Sequence, residues 1–134
     1  MLKILIIDDQ ALFRQCLHYV LDKLEEQVVI VEAAQFQQAM QQIADNPDLD
    51  LVLLDLNLAG KDGGATLKHI SKSCPTLPVI ILSALGDPRD IDQSLAAGAM
   101  GYISKASSKA EMLNALRQVL AGETYVPPQI EVLY

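Results

Sequence analysis

The sequence has little with which to bind a soft metal, grip nucleic acid or cross a membrane. Only two cysteines occur in 134 residues, Cys16 and Cys74, and no Cys-x-x-Cys or Cys/His spacing joins them. That argues against a zinc or disulfide framework and fits a reducing, cytoplasmic setting. Basic residues are scarce: 10 Lys plus Arg face 17 Asp plus Glu, a formal net charge of −7. A surface of that sign repels phosphate backbones and anionic headgroups, so this segment is not expected to bind DNA, RNA or a membrane surface. Apolar runs such as Ile4–Ile7 last four or five residues, far short of the roughly 20 needed to span a bilayer. The N-terminus, Met1-Leu2-Lys3-Ile4, carries no signal-peptide cleavage pattern. Neither glycine-rich nucleotide loop is present, and no Ser-His-Asp or Cys-His ordering is evident. His18 and His69 fall in separate helical patterns without a partner spacing, as surface or half-buried residues do.

What is present is a core. Hydrophobic residues make up 51% and charged residues 20% of the chain, enough for one globular domain without staples. Short apolar runs at Leu2–Ile7, Val28–Val31, Leu51–Leu54, Val79–Leu82 and Gly101–Ser104 read as strands. The first four are nearly continuous in Leu, Ile and Val, as strands buried on both faces are. The short fifth suits an edge. Between them lie helical spacings. Leu12, Phe13, Cys16, Leu17, Val20, Leu21 and Leu24 form one apolar stripe. Phe36, Ala39, Met40 and Ile43 form a second, beside a solvated face of glutamines. Leu67 and Ile70, then Ile91 and Leu95, then Met112, Leu113, Leu116, Val119 and Leu120 mark three more. Asp62 is placed to start the third helix, and Gly98 and Gly122 to end the fourth and fifth.

Strands alternating with helices of this length give an α/β fold: a doubly wound five-stranded parallel sheet flanked by five helices. With strand order 2-1-3-4-5, a ligand crevice opens at the carboxyl ends of strands one and three. After Gly122 the periodicity stops at Glu123-Thr124-Tyr125-Val126-Pro127-Pro128. The expected division is a domain over 1–122 and a linker or docked tail over 123–134.

The strand ends carry the chemistry. Strand one ends in Asp8-Asp9, strand three in Asp55 and strand four in Ser83, and Lys105 follows strand five. Three carboxylates that close together cannot all stay ionised without a cation. Lys105 supplies one charge, and Mg²⁺, which takes a few carboxylates and keeps room for phosphate oxygens, would supply two. Such a site receives a phosphoryl group, and a carboxylate nucleophile can carry it as an acyl phosphate. Singly, each residue has a plainer use: Asp9 as the cap of the first helix, Ser83 as a loop hydroxyl, Lys105 as a surface lysine. Their convergence on one sheet edge favours the shared role.

Ile6-Ile7-Asp8-Asp9, Asp55 after Leu51-Val52-Leu53-Leu54, Asp62-Gly63, Ser83-Ala84, Gly98-Ala99, Gly101-Tyr102 and Lys105 together resemble the receiver domain of two-component response regulators over about residues 2–121. The resemblance implies a CheY-like (flavodoxin-like) fold and a signalling switch that catalyses only its own phosphorylation and dephosphorylation. Asp55 matches the aspartate that accepts the phosphoryl group from a histidine kinase. Asp8 and Asp9 match the acidic pair that holds Mg²⁺, and Asn57 the position whose backbone carbonyl completes the metal site. Lys105 matches the lysine that meets a phosphoryl oxygen, Ser83 the hydroxyl that turns toward it, and Tyr102 the aromatic that moves inward with that hydroxyl. Ala59 and Ala106 stand where many members carry proline. The stretch from Gly101 to Ser107 and the ending from Gly122 are similar to the LuxR/NarL-type branch. That likeness implies transcription regulation through a DNA-binding output domain and homodimerisation on activation, with this segment a receiver excised from a longer regulator, the alternative being a stand-alone receiver. Asp55-Leu56-Asn57 also bears a faint likeness to haloacid-dehalogenase-type phosphohydrolases, though Asn57 stands in place of their second acid and no cap domain is present. A degenerate receiver that only binds partners is the third reading, and a complete acidic set speaks against it.

Overall fold

The computed structural model describes residues 1–58, 63–84 and 88–127. Along the chain run β1 (Leu2–Ile7), α1 (Ala11–Leu21), β2 (Val28–Ala33), α2 (Phe36–Asp45), β3 (Leu51–Asp55), α3 (Gly63–Ser73), β4 (Val79–Ser83), α4 (Pro88–Ala96), β5 (Gly101–Ser104) and α5 (Lys109–Leu120). The five strands form one parallel sheet, as the alternation of runs and stripes predicts, and their order, β2-β1-β3-β4-β5, is the one the resemblance implies. Among the described residues no helix is long and apolar enough to cross a membrane. Asp62, the expected start of α3, lies outside the described residues, as do Ala59 and the chain beyond Pro127.

Strand alternation divides the core into two layers. Ile4, Ile6, Leu51, Leu53, Ile80, Leu82 and Ile103 face α1 and α5, packing on Leu17, Leu21, Ala115 and Leu116. Leu5, Ile7, Val52, Leu54, Ile81 and Tyr102 face the opposite side, packing on Ala39, Leu67, Ile70 and Ile91. Burying each Leu, Ile or Val contributes roughly 1.5–3 kcal/mol, so β1, β3 and β4 anchor the domain. β2 departs from the reading as a strand buried on both faces. It sits at the sheet edge, Val29 is 37% exposed and Glu32 faces solvent. An edge strand has a neighbour on one side only, and its apolar run is half covered by α1 and α2.

The α1 stripe also needs correction. Leu17, Val20 and Leu21 are buried, but Leu12 is 78% exposed and Cys16 is exposed. Seven residues at three-and-four spacing span more arc than one packed face covers, and the helix turns its margin to water. The ends of α4 and α5 behave as expected: Gly98 and Gly122 take φ values of 110° and 91°, in the left-handed region that favours glycine. α5 starts at a capping box in which Ser108 accepts from the Glu111 N–H and Glu111 accepts from the Ser108 N–H.

The non-periodic segment after α5 docks on the edge of β5. The Tyr125 N–H donates to the Met100 carbonyl at 2.9 Å, and the Tyr102 N–H donates to the Tyr125 carbonyl at 3.3 Å. Gly101 makes room: a Cβ there would lie 3.1 Å from Val119 Cγ2 and 3.5 Å from Tyr125 Cβ. Tyr125→Pro removes the N–H that joins this segment to the strand. Amide exchange at Tyr102 is expected to quicken by about fivefold in that variant, since a lost backbone hydrogen bond is worth about 1 kcal/mol. Unchanged exchange, read by NMR, contradicts the pairing.

Candidate functional site

Parity along the strands continues to their ends. Asp8 follows Ile4 and Ile6, Asp55 follows Leu51 and Leu53, and Lys105 follows Ile103, so all three share the phase of the layer against α1 and α5. Ser83 shares the phase of Ile81 and Tyr102, in the other layer. The registers Ile7↔Leu54, Asp55↔Leu82 and Ser83↔Ser104 bring the four strand ends to one level. The Lys105 N–H donates to the Ser83 carbonyl at 2.7 Å, fixing the lysine's backbone beside β4.

One carboxylate oxygen from each of Asp8, Asp9 and Asp55 lies within 4.8 Å of the other two. Asp8 is fully buried, Asp55 is 3% exposed and Asp9 faces solvent. Asp9 does not cap α1: the N-cap is Gln10, and its side chain makes no capping bond. Asp8 Oδ1 accepts from the Gln10 N–H at 2.8 Å, and Asp55 Oδ1 accepts from the Asn57 N–H at 3.1 Å. These bonds, each spanning two residues, hold the carboxylates against their own turns. On the backbone side, the Arg14 guanidinium donates to the Asp8 carbonyl at 2.6 Å.

Lys105 answers the cluster. Its Nζ lies 2.7 Å from Asp8 Oδ2 and 3.6 Å from Asp55 Oδ2. The Asp8 contact is an ion pair outside good hydrogen-bond angles, and no hydrogen-bond donor reaches this buried oxygen. Burial pushes the Asp55 carboxyl above its ordinary value. The Asn57 N–H opposes that rise, Asp8 and Asp9 add to it, and Lys105 opposes it. One ammonium among three carboxylates leaves negative charge over, and the buried Asp8 Oδ2 accepts no hydrogen bond. Hard oxygen donors that are few, clustered and partly open to solvent fit Mg²⁺.

All the expected site residues fall at this edge of the sheet. Ser83 ends β4 and is buried, and Asn57 lies two residues beyond Asp55. Tyr102 pairs with Ile81 in the sheet and is fully buried in the layer against α3 and α4. Three residues were given no role at this site by the sequence reading. Gln10 accepts from Lys105 Nζ at 2.6 Å, and the Phe13 ring centroid lies 4.6 Å from the same atom. Gly63 donates its N–H to the Leu56 carbonyl at 2.9 Å and carries no Cβ because one would lie 2.4 Å from that oxygen. Asp62-Gly63 gave a signal for the glycine through the family resemblance; a glutamine and a phenylalanine at a helix start give none.

A parallel sheet of this order, with three carboxylates and a lysine at the carboxyl ends of its strands, has the architecture of a signal-receiving switch domain. The response regulator receiver domain profile matches residues 4–117, and the chain belongs to that family. It is 39% identical over 130 residues to the glycerol metabolism activator of Pseudomonas putida, covering 97% of this chain and 59% of that protein. Among solved structures it is similar to a LuxR-family two-component response regulator from Aurantimonas sp. SI85-9A1. The TM-score there is 0.86 at 26% identity, with 94% of this chain and 89% of that one covered. It is also similar to the signal receiver domain of the NarL response regulator of Mycobacterium tuberculosis, with a TM-score of 0.80, 28% identity and coverage of 91% and 98%. The chain thus spans about three fifths of the length of the curated relatives it matches.

Proposed function

We propose that this domain is a phosphorylation switch in which Asp55 takes a phosphoryl group from the phosphohistidine of a sensor kinase. The observation that carries the reading is a buried aspartate at a sheet edge, with two further carboxylates within 4.8 Å and an ammonium 3.6 Å away. Asp8, Asp9, Asp55 and the Asn57 carbonyl would hold Mg²⁺, which when bound supplies positive charge against the phosphoryl oxygens.

The chain's own residues do the rest. A carboxylate oxygen of Asp55 attacks phosphorus in line, the P–N bond breaks, and the electron pair stays with the imidazole nitrogen, which takes a proton. An acyl phosphate results. Lys105 meets an equatorial oxygen, charge placed before the reaction begins. Ser83 donates its hydroxyl to another oxygen, and that hydrogen bond holds the inward Tyr102 in place. Water later attacks phosphorus and the Asp55 carboxylate leaves, which resets the switch. This is chemistry on the domain itself, without turnover of a free substrate.

The wider reading is a receiver over residues 1–122, with 123–134 leading toward a DNA-binding output domain in a cytoplasmic transcription regulator. Activation acts through a homodimer. The LuxR-family and NarL likenesses support it. The negative charge excess keeps DNA binding in the output domain and away from this one.

Incubation with acetyl phosphate and Mg²⁺ is expected to add one phosphoryl mass to the intact chain, and none after chelation. No added mass on the native chain, or an equal addition on Asp55→Asn, overturns the proposal. Steady hydrolysis of phosphate monoesters would favour a phosphohydrolase instead.

A further inference from the structure

Lys105 comes from the end of β5, yet its ammonium is held by the first residues of α1. Gln10 stands at the N-cap of α1, where a side chain commonly turns back to the helix N–H groups. It makes no such bond. Its Oε1 instead accepts from Lys105 Nζ at 2.6 Å, across 95 positions of sequence. The Phe13 ring flanks the same ammonium at 4.6 Å. An ammonium has three donors and no acceptor. Asp8 at 2.7 Å and Gln10 at 2.6 Å are its short contacts, and Asp55 at 3.6 Å is beyond hydrogen-bond reach. A hydrogen bond to Gln10 and an ion pair with Asp8, both from the β1–α1 corner, therefore orient the ammonium, and N–H groups are left for a group on Asp55. Gln10 does this without charge: a third carboxylate around Lys105 would compete with a phosphoryl oxygen, and an amide oxygen competes far less.

We propose that Gln10 is a positioning residue that holds Lys105 ready for the phosphoryl group, and that it keeps this hold when a cation claims the Asp8 carboxylate. The proposal rests on the phosphoryl-transfer reading above. Gln10 touches neither the phosphoryl group nor Asp55; it acts through Lys105.

Gln10→Met keeps the length of the side chain and removes the acceptor. In the metal-free protein the Lys105 ammonium protons, followed by NMR, are expected to exchange at least about threefold faster. With acetyl phosphate and Mg²⁺ the initial rate of phosphorylation is expected to fall about fivefold. In a Lys105→Met background the same substitution is expected to change the rate by less than about 1.5-fold, because the residue it acts through is gone. Equal losses in both backgrounds, or unchanged ammonium exchange, overturn the proposal. If the native chain takes no phosphoryl group at all, the phosphoryl-transfer reading fails by itself, and the ammonium exchange alone decides the role of Gln10.

Discussion

Asp55→Asn is expected to be more stable than the native chain when metal is chelated, although it loses the proposed reaction. The reason is the cost of an ionised carboxylate held at 3% exposure between Asp8 and Asp9. In the unfolded chain this carboxyl ionises near its ordinary 3.8, whereas in the folded chain burial delays ionisation to higher pH. Between those two values the native state binds more protons than the unfolded state, so stability falls as pH rises through that window. Above it the full cost is present, and neutral pH lies on that side of the unfolded value. An asparagine of the same shape removes the charge and can still accept from the Asn57 N–H. A gain on the order of 1 kcal/mol, or roughly 3–5 °C in melting temperature, is expected at neutral pH. Mg²⁺ should reverse the ranking. A ligand at a hundred times its dissociation constant stabilises by about 2.7 kcal/mol, and the variant lacks one carboxylate of the site. Thermal unfolding with chelator and with excess Mg²⁺ checks both statements. A variant less stable than the native chain in chelator, or equally stabilised by Mg²⁺, contradicts the account of the cluster.

Gly63→Ala is expected to damage fold and site together. A Cβ at this position would lie 2.4 Å from the Leu56 carbonyl oxygen, 2.5 Å from the Asp55 carbonyl oxygen and 2.6 Å from Leu56 Cα. All three are backbone atoms, so no side chain can swing aside. The start of α3 must move off the end of β3, or the turn after Asp55 must yield. Either route strains a packed interior, and a loss of about 2–3 kcal/mol is expected in chemical denaturation. The moved turn also carries the Asn57 N–H that holds Asp55 Oδ1. Phosphorylation by acetyl phosphate should therefore drop by more than about tenfold even under conditions where the variant is folded. A variant within about 0.5 kcal/mol of the native chain would show that the close approach of Gly63 to the β3 turn is relieved at no cost.

How much of this was legible beforehand follows from what each feature depends on. The parallel sheet, with Asp8, Asp9, Asp55, Ser83 and Lys105 at its strand ends, depends on apolar runs and their alternation with helices, which a sequence displays directly; the strand order that sets those ends side by side came with the family resemblance. The exposure of Leu12 and Cys16 depends on how much of the α1 circumference α5 and the sheet cover, and spacing alone does not measure that. Docking of Tyr125 on β5 uses backbone groups, which every residue has, so no side-chain pattern announces it. The hold of Gln10 on Lys105 joins residues 95 positions apart through one rotamer.

The central claim is that the phosphoryl group resides on the Asp55 carboxylate. Borohydride reduces an aspartyl phosphate to homoserine and leaves a phosphoserine untouched. After incubation of the native chain with acetyl phosphate and Mg²⁺, reduction and peptide mass spectrometry should find homoserine at position 55 and aspartate retained at positions 8 and 9. Homoserine at position 8 or 9, or a phosphoryl group that survives reduction on Ser83, contradicts the account.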